Sequence, residues 1–347
     1  MQYASLLFTG VITTVLVLTG CKQGEDSTPV EVSFEVPANF PPPQYDLAAN
    51  PVTPEGFELG RRLFYDGLLS RDGSISCGFC HQQSAGFTQH GHDLSHGIDD
   101  RLSLRNALPI QNLAWSREFF WDGGVFHLDL FALQPIENED EMDERLPNVL
   151  NKLRQHDEYP SLFAAAFGST EITTDRFLRA LSQFQLMCVS ANAPYDKFVR
   201  NEGGELSAQQ LQGLQLFRQK CASCHSGELF TDDSYRNNGL PVGNPDDTGR
   251  HRITLNDGDR YRFRVPSLRN VEKTRPYMHD GRFRNLEAVL DFYDTGVVDS
   301  PTLDTLLRQN GRLGIELAEG EKQAIIAFLQ SLTDEDFLSN PLLSEFR

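Results

Sequence analysis

Two five-residue runs carry the most chemistry in this 347-residue chain: Cys77-Gly-Phe-Cys-His81 and Cys221-Ala-Ser-Cys-His225. They spend four of the six cysteines on one pattern, Cys-x-x-Cys-His, which is the attachment signature of a c-type haem. Two thiols one helical turn apart can add to the two vinyl groups of the porphyrin, and the adjoining histidine reaches the iron as an axial ligand. Covalent linkage lets a small helical unit hold a large cofactor with a thin core. A zinc site would need two Cys-x-x-Cys knuckles about 15–20 residues apart, far closer than these runs lie. A thioredoxin-like redox motif needs a βαβ surround, and no such alternation flanks either run. The expected cofactors are two covalently bound haems, one on Cys77, Cys80 and His81 and the other on Cys221, Cys224 and His225.

The elements that must position these runs read as helices. In PEGFELGRRLFYD, from Pro54, apolar residues fall at Phe57, Leu59, Leu63 and Phe64 with Glu55 near the start, which predicts a short helix. In LSAQQLQGLQLFRQK, Gly213, Leu216 and Phe217 are placed as Gly60, Leu63 and Phe64 are, so helix, loop and Cys-x-x-Cys-His form a weak internal repeat. Stretches 144–168 and 173–199 show three-to-four-residue apolar spacing, and 286–296 and 318–333 read as amphipathic helices. Strand signals are few and short. The predicted fold is mostly α with long loops. The polar, Gly-rich segment 201–207 divides it into an N-terminal unit, 53–203, and a C-terminal unit, 204–347, with one haem each. A chain of this length with 39% hydrophobic residues can bury two modest cores.

The first twenty residues, MQYASLLFTGVITTVLVLTG, hold an apolar run of export-signal length, short for a membrane span. The run ends in Leu18-Thr19-Gly20-Cys21, which resembles the bacterial lipobox and implies a lipidated Cys21 at the mature N-terminus. Lys22 in place of aspartate fits sorting to the outer membrane, with the chain facing the periplasm. The Lys or Arg usual before the apolar run is missing. Residues 21–52, rich in Pro and polar side chains, read as a tether and extended arm. A net charge of −18 excludes nucleic acid as a partner and suits solubility or a basic protein partner. Cys188, in an apolar helical stretch, reads as a buried structural thiol, and no disulfide is expected.

Two haems could simply pass electrons, so chemistry turns on the second axial positions: Met or His closes an electron-transfer haem, whereas a catalytic haem keeps one side open. Of the four methionines, Met142 and Met278 lie in loops able to reach a haem. No histidine outside the two runs is assigned by position alone.

The stretches LFYDGLLSRDGSISCGFCH, SLRNALPIQNLAW, FFWDGG, PIENEDEM, LFRQKCASCHSGELFTD and VPSLRNVEKTRPYMHDG carry a resemblance. From about residue 53 to 335 the chain resembles the bacterial diheme cytochrome c peroxidase family, which includes the MauG-type protein-oxidising enzymes. The resemblance implies two cytochrome-c-like helical domains with the haems and one calcium ion near their interface. It implies His81 as proximal ligand of a peroxide-reactive N-terminal haem and His225 as that of an electron-relaying C-terminal haem. Trp121 in FFWDGG matches the tryptophan between the haems, and Glu141 matches the distal carboxylate that moves protons during O–O cleavage. Asn106, Thr274 and Pro276 match the calcium ligands, one side-chain oxygen and two carbonyls, and His279 in the same loop would bond a propionate or water. The implied partners are hydrogen peroxide and a small electron donor such as a cytochrome c. Many relatives are dimers, although no interface is legible here.

Departures from the family pattern sharpen the expectation. Where resting peroxidases place a histidine that closes the N-terminal haem, Ser95-His96-Gly97-Ile98 puts Ile98, which cannot ligate iron; His96, two positions earlier, is the alternative. Phe131 stands where many relatives have a distal glutamine, with Gln134 nearby. Tyr293 occupies the position of a methionine ligand of the C-terminal haem, as in MauG-type enzymes, with Met278 as the other candidate. The resulting expectation is a peroxidase reducing hydrogen peroxide to water. The alternative is a MauG-like enzyme oxidising a partner protein through Trp121. A plain electron carrier has no use for an open pocket with a base.

Overall fold

The computed structural model describes Met1 and residues 32–243, 245–309 and 311–345. The signal sequence and the lipobox with Cys21 lie outside the described residues. From Val32 onward the chain is one compact unit. Among the described residues no helix is long and apolar enough to cross a membrane.

The fold is mostly helical, and the described residues hold two short antiparallel ribbons, Tyr235–Arg236 with Phe263–Arg264 and Arg308–Gln309 with Arg312–Leu313. Local sequence sets the helix starts. Thr53 accepts a hydrogen bond from Gly56 N at 3.0 Å and Pro54 occupies the first turn, which starts the Pro54–Tyr65 helix. Ser207 and Gln210 form a reciprocal capping box at the head of the Ala208–Lys220 helix.

The repeat seen in the sequence is a packing repeat. The Pro54–Tyr65 helix packs on Thr174–Met187, and Ala208–Lys220 packs on Glu319–Gln330. At the crossings a Cβ on Gly60 would lie 2.0 Å from the Ala180 carbonyl, and one on Gly213 would lie 1.9 Å from the Ala324 carbonyl. Only glycine lets the backbones approach so closely. Beside each glycine an aromatic pair closes the core: Phe64 and Phe184 at 4.7 Å between centroids, and Phe217 and Phe328 at 5.1 Å. The Ala208–Lys220 helix runs directly into Cys221, whereas residues 66–76 separate Tyr65 from Cys77.

Two of the apolar cores are built around these pairs. The large one gathers Phe57, Leu63, Phe64, Phe87, Ile98 and Phe184, and also takes Met142, which is buried there. The smaller one gathers Phe217, Phe230, Leu290 and Phe328. Cys188 is fully buried, its thiol facing the Phe184 carbonyl at 3.5 Å. Segment 32–45 lies on the first core, with Phe40 edge-on to Trp115 at 5.0 Å and the Trp115 indole N–H donating to Pro41 O at 2.7 Å.

Candidate active site

Cys77–Cys80 forms one helical turn, closed by His81 N donating to Cys77 O at 2.9 Å; His225 N donates to Cys221 O at 3.0 Å in the same way. Each turn carries two free thiols beside its histidine. Both histidines turn Nδ1 to backbone carbonyls. His81 Nδ1 faces the Phe87 carbonyl at 2.7 Å, and His225 Nδ1 faces those of Phe230 at 3.1 Å and Pro266 at 3.2 Å. A carbonyl acceptor places the proton on Nδ1 and leaves the Nε2 lone pair for a metal. Burial holds both imidazoles below the usual histidine range, so they stay neutral. Thiols at one-turn spacing beside a neutral, tautomer-fixed imidazole fit a covalently attached haem at both turns.

The first turn is flanked by two loops. Ser95 lies beside the Cys80 thiol, and Ile98 N donates to Glu141 O at 2.8 Å, so loop 95–98 and the Glu141 loop are joined beside the turn. Ile98 is buried in the core. His96 is tied to Asp100 at 2.5 Å and packs edge-on against His92. Glu141 Oε1 accepts from Asn138 Nδ2 at 2.7 Å. Burial raises the Glu141 carboxyl above its ordinary range, with Asn138 opposing. Its charge also reaches both thiols: burial first, and Glu141 with it, pushes Cys77 up to about 12 and Cys80 up to about 11. Gln134 is exposed, so the amide meeting the carboxylate is Asn138. Phe131 packs on Phe119 and Phe120 at 5.5 and 4.8 Å.

The second turn is faced by Tyr293. The helix Leu286–Asp291 passes into a π-helical turn, Phe292–Gly296, that carries this tyrosine. Such turns re-aim side chains and frequently mark functional sites. Burial pushes the Tyr293 hydroxyl up to about 12, and Cys221 and Cys224 are close enough to add to the rise. Met278 joins the same apolar cluster, so both candidate ligands are present.

Trp121 sits between the two halves. Its indole N–H donates to Asn106 O at 2.9 Å, and its carbonyl accepts from Arg264 N at 2.8 Å. Asn106 N in turn donates to the carbonyl of His279 at 2.8 Å, and Asn106 Nδ2 to Asp93 O at 2.9 Å. Asn106 is thereby brought beside the 274–279 loop. Among the described residues no three His, Cys, Asp or Glu side chains gather as a metal site, so a calcium ion here would rest on amide and backbone oxygens. The His279 ring stacks on Phe263 at 3.8 Å, and burial lowers it to about 4. Sequence reasoning missed Arg105, which holds Asp247 through Nε and Nη2 at 2.6 and 2.8 Å and Asp122 through Nη1 at 2.6 Å. This triad locks the Trp121-Asp122 turn to the second half.

A family profile described as di-haem cytochrome c peroxidase matches residues 54–204. The methylamine utilization protein MauG of Methylorubrum extorquens is 37% identical over 90% of this chain and 86% of its own length. The cytochrome c551 peroxidase of Nitrosomonas europaea is 33% identical over 84% of this chain and 85% of its own. The crystal structure of a MauG-like protein associated with microbial copper homeostasis superposes with a TM-score of 0.81 at 31% identity, covering 91% of this chain and 99% of that one. On these matches and on its two haem-attachment turns, the chain belongs to the di-haem cytochrome c peroxidase and MauG family.

Proposed function

We propose that this protein is a periplasm-facing peroxidase that reduces hydrogen peroxide to water with electrons from a small donor such as a cytochrome c. The observation that carries the reading is Glu141, a carboxyl of raised proton affinity held beside the Cys77–His81 turn by Ile98 N. When bound, the haems supply a peroxide-binding iron at the first turn and an electron store at the second. The protein supplies the rest. Asn138 holds Glu141 Oε1 and leaves Oε2 to take a proton from the near peroxide oxygen and return it to the far one. Ile98, an apolar side chain where a ligand could stand, leaves the peroxide side open. Asn106 with the Thr274 and Pro276 carbonyls would hold calcium and steady the Trp121 bridge, whose indole is pinned to Asn106 O. Export and a lipid anchor at Cys21 complete the proposal.

The MauG-like reading is favoured by one observation, the Tyr293 phenol beside Cys221 and Cys224. Holoprotein given peroxide and a reduced small cytochrome separates the two. Sustained peroxide-dependent oxidation of the cytochrome supports the peroxidase. A single turnover that needs no donor and leaves an oxidised partner protein sinks it. Trp121→Phe removes the N–H that binds Asn106 O. In that variant peroxide should still react at the first site while stopped-flow absorbance shows delayed oxidation of the second; equal delays in both proteins would exclude the bridge.

A further inference from the structure

Met1 aside, Leu255 and Phe126 are the most exposed large apolar side chains among the described residues, at 78% and 63%. The fold brings them into one neighbourhood. Ile253, itself 41% exposed, lies against bare backbone at Gly124, where a Cβ would stand 3.1 Å from its Cδ1. Leu130, 47% exposed, closes the Leu128–Leu130 turn that follows Phe126. Leu255 ends the short His251–Thr254 helix at a φ of 56°, a left-handed state that a bulky side chain rarely holds. Single apolar side chains are ordinary on a surface, but four around one turn, one of them on strained backbone, mark a contact face.

The N-terminal arm points to what covers it. Phe34 meets Trp115 at 5.8 Å between centroids and Tyr45 N donates to Ala114 O at 3.0 Å, so both ends of segment 34–45 are fixed at residues 114–115. Tyr45 then reaches the contact face: its hydroxyl donates to Asp129 Oδ1 at 2.7 Å and its ring lies 5.7 Å from that of His127. The chain therefore enters the body on the side of the 126–130 segment. Only residues 22–31 separate Val32 from Cys21. Fully extended, that stretch reaches about 40 Å, less than the roughly 50 Å that a body of this length measures across. A lipid on Cys21 would hold the arm's side of the body, and not the far side, against a membrane.

We infer that Phe126, Leu130, Ile253 and Leu255 form a docking face for the lipid surface to which Cys21 is anchored. The inference rests on the proposed lipid anchor. Local charge suits it: Asp129 is bonded by Tyr45, Asp257 is paired with Arg260 at 3.0 Å, and Arg252 is exposed on the same short helix as Ile253. Apolar side chains on a body already held by lipid enter the boundary between headgroups and acyl chains and add a second attachment. The lipid keeps the body at the bilayer, and the face fixes which way it points.

The test is hydrogen exchange on lipidated holoprotein reconstituted in vesicles of phosphatidylethanolamine and phosphatidylglycerol, beside Cys21→Ser holoprotein in solution. Intact mass reports whether Cys21 carries lipid, and the haem spectra control for folding. On the vesicles the amides of 125–130 and 252–256 should exchange roughly three- to tenfold more slowly, the effect of removing a half-exposed leucine or phenylalanine from water. Phe126→Ser/Leu255→Ser should abolish that slowing with the lipid still attached. Lipid on Cys21 without any slowing overturns the face and leaves the anchor. An unlipidated Cys21, in protein made with its own signal, removes the anchor and the face with it. Slowing that appears in the Cys21→Ser protein as its concentration rises assigns the face to a second copy of this chain and overturns it as a lipid site.

Discussion

Glu141→Gln is expected to slow the reaction with peroxide by about 10²–10⁴-fold, with both haem spectra intact and thermal stability unchanged or raised. The sign of the stability effect follows from the proton affinity. Burial raises the Glu141 carboxyl in the folded protein, so folding favours its neutral form. The stability it contributes is full below the unfolded value of an ordinary glutamate and is lost as pH rises through the folded one. At neutral pH an ionised carboxylate beside the Cys77–His81 turn therefore costs stability, and glutamine removes that cost while keeping an acceptor for Asn138. The wild-type rate should fall as pH drops through a value above the ordinary glutamate range, because the group must be ionised to accept the first proton. That acid limb should be missing in the variant. Equal peroxide kinetics in the two proteins, measured by stopped-flow absorbance, would remove Glu141 from the mechanism. A large loss of stability in the variant would mean that the carboxylate is structural.

The haem turns were legible because their chemistry is local: three residues of spacing fix which side chains share a helical turn. Gly60 and Gly213 were legible as a repeat for the same reason, and the backbones they meet, at 180–184 and 324–328 of the partner helices, share an Ala-x-x-x-Phe pattern that completes it. More of the duplication was present than the helix and Cys-x-x-Cys-His runs revealed. Phe-Thr follows both histidines at 87–88 and 230–231, and in each half that phenylalanine carbonyl meets the histidine Nδ1. Ser-Leu-Arg-Asn stands at 103–106 and again at 267–270, but 22 residues after His81 and 42 after His225, so unequal loops hide the register. Asn138 could have been found three residues before Glu141. The partners of the two repeated arginines could not. Arg105 meets Asp247 across 142 positions and Arg269 meets Asp196 across 73, distances over which local patterns carry no register.

Breaking that second pair should have the largest effect on stability. Arg269 and Asp196 are both 0% exposed, joined by two parallel hydrogen bonds of 2.8 Å. Removing one partner of a buried pair costs about 3–5 kcal/mol because the other charge is left uncompensated, so Asp196→Asn should lower the unfolding free energy by that amount in holoprotein. An apolar replacement often rescues such a pair, yet rescue should be incomplete here. Asp196 also accepts from Asn39 Nδ2 at 2.8 Å and Ala193 N at 3.0 Å, and Arg269 Nε donates to Glu228 O at 2.8 Å. Asp196→Leu/Arg269→Met orphans all three, at about 1–3 kcal/mol for each buried group left unsatisfied. The damage should also be directional. The Arg269 guanidinium covers the Phe40 ring at 4.5 Å and the Phe230 ring at 5.7 Å, and the Phe230 carbonyl orients His225. Loosening the pair should therefore disturb the spectrum of the second haem before that of the first, whose histidine leans on Phe87. An unfolding free energy lowered by less than about 1 kcal/mol, the worth of an exposed pair, would mean that water reaches this ion pair. Simultaneous change at both haems would mean that the pair supports the whole body and not the His225 side.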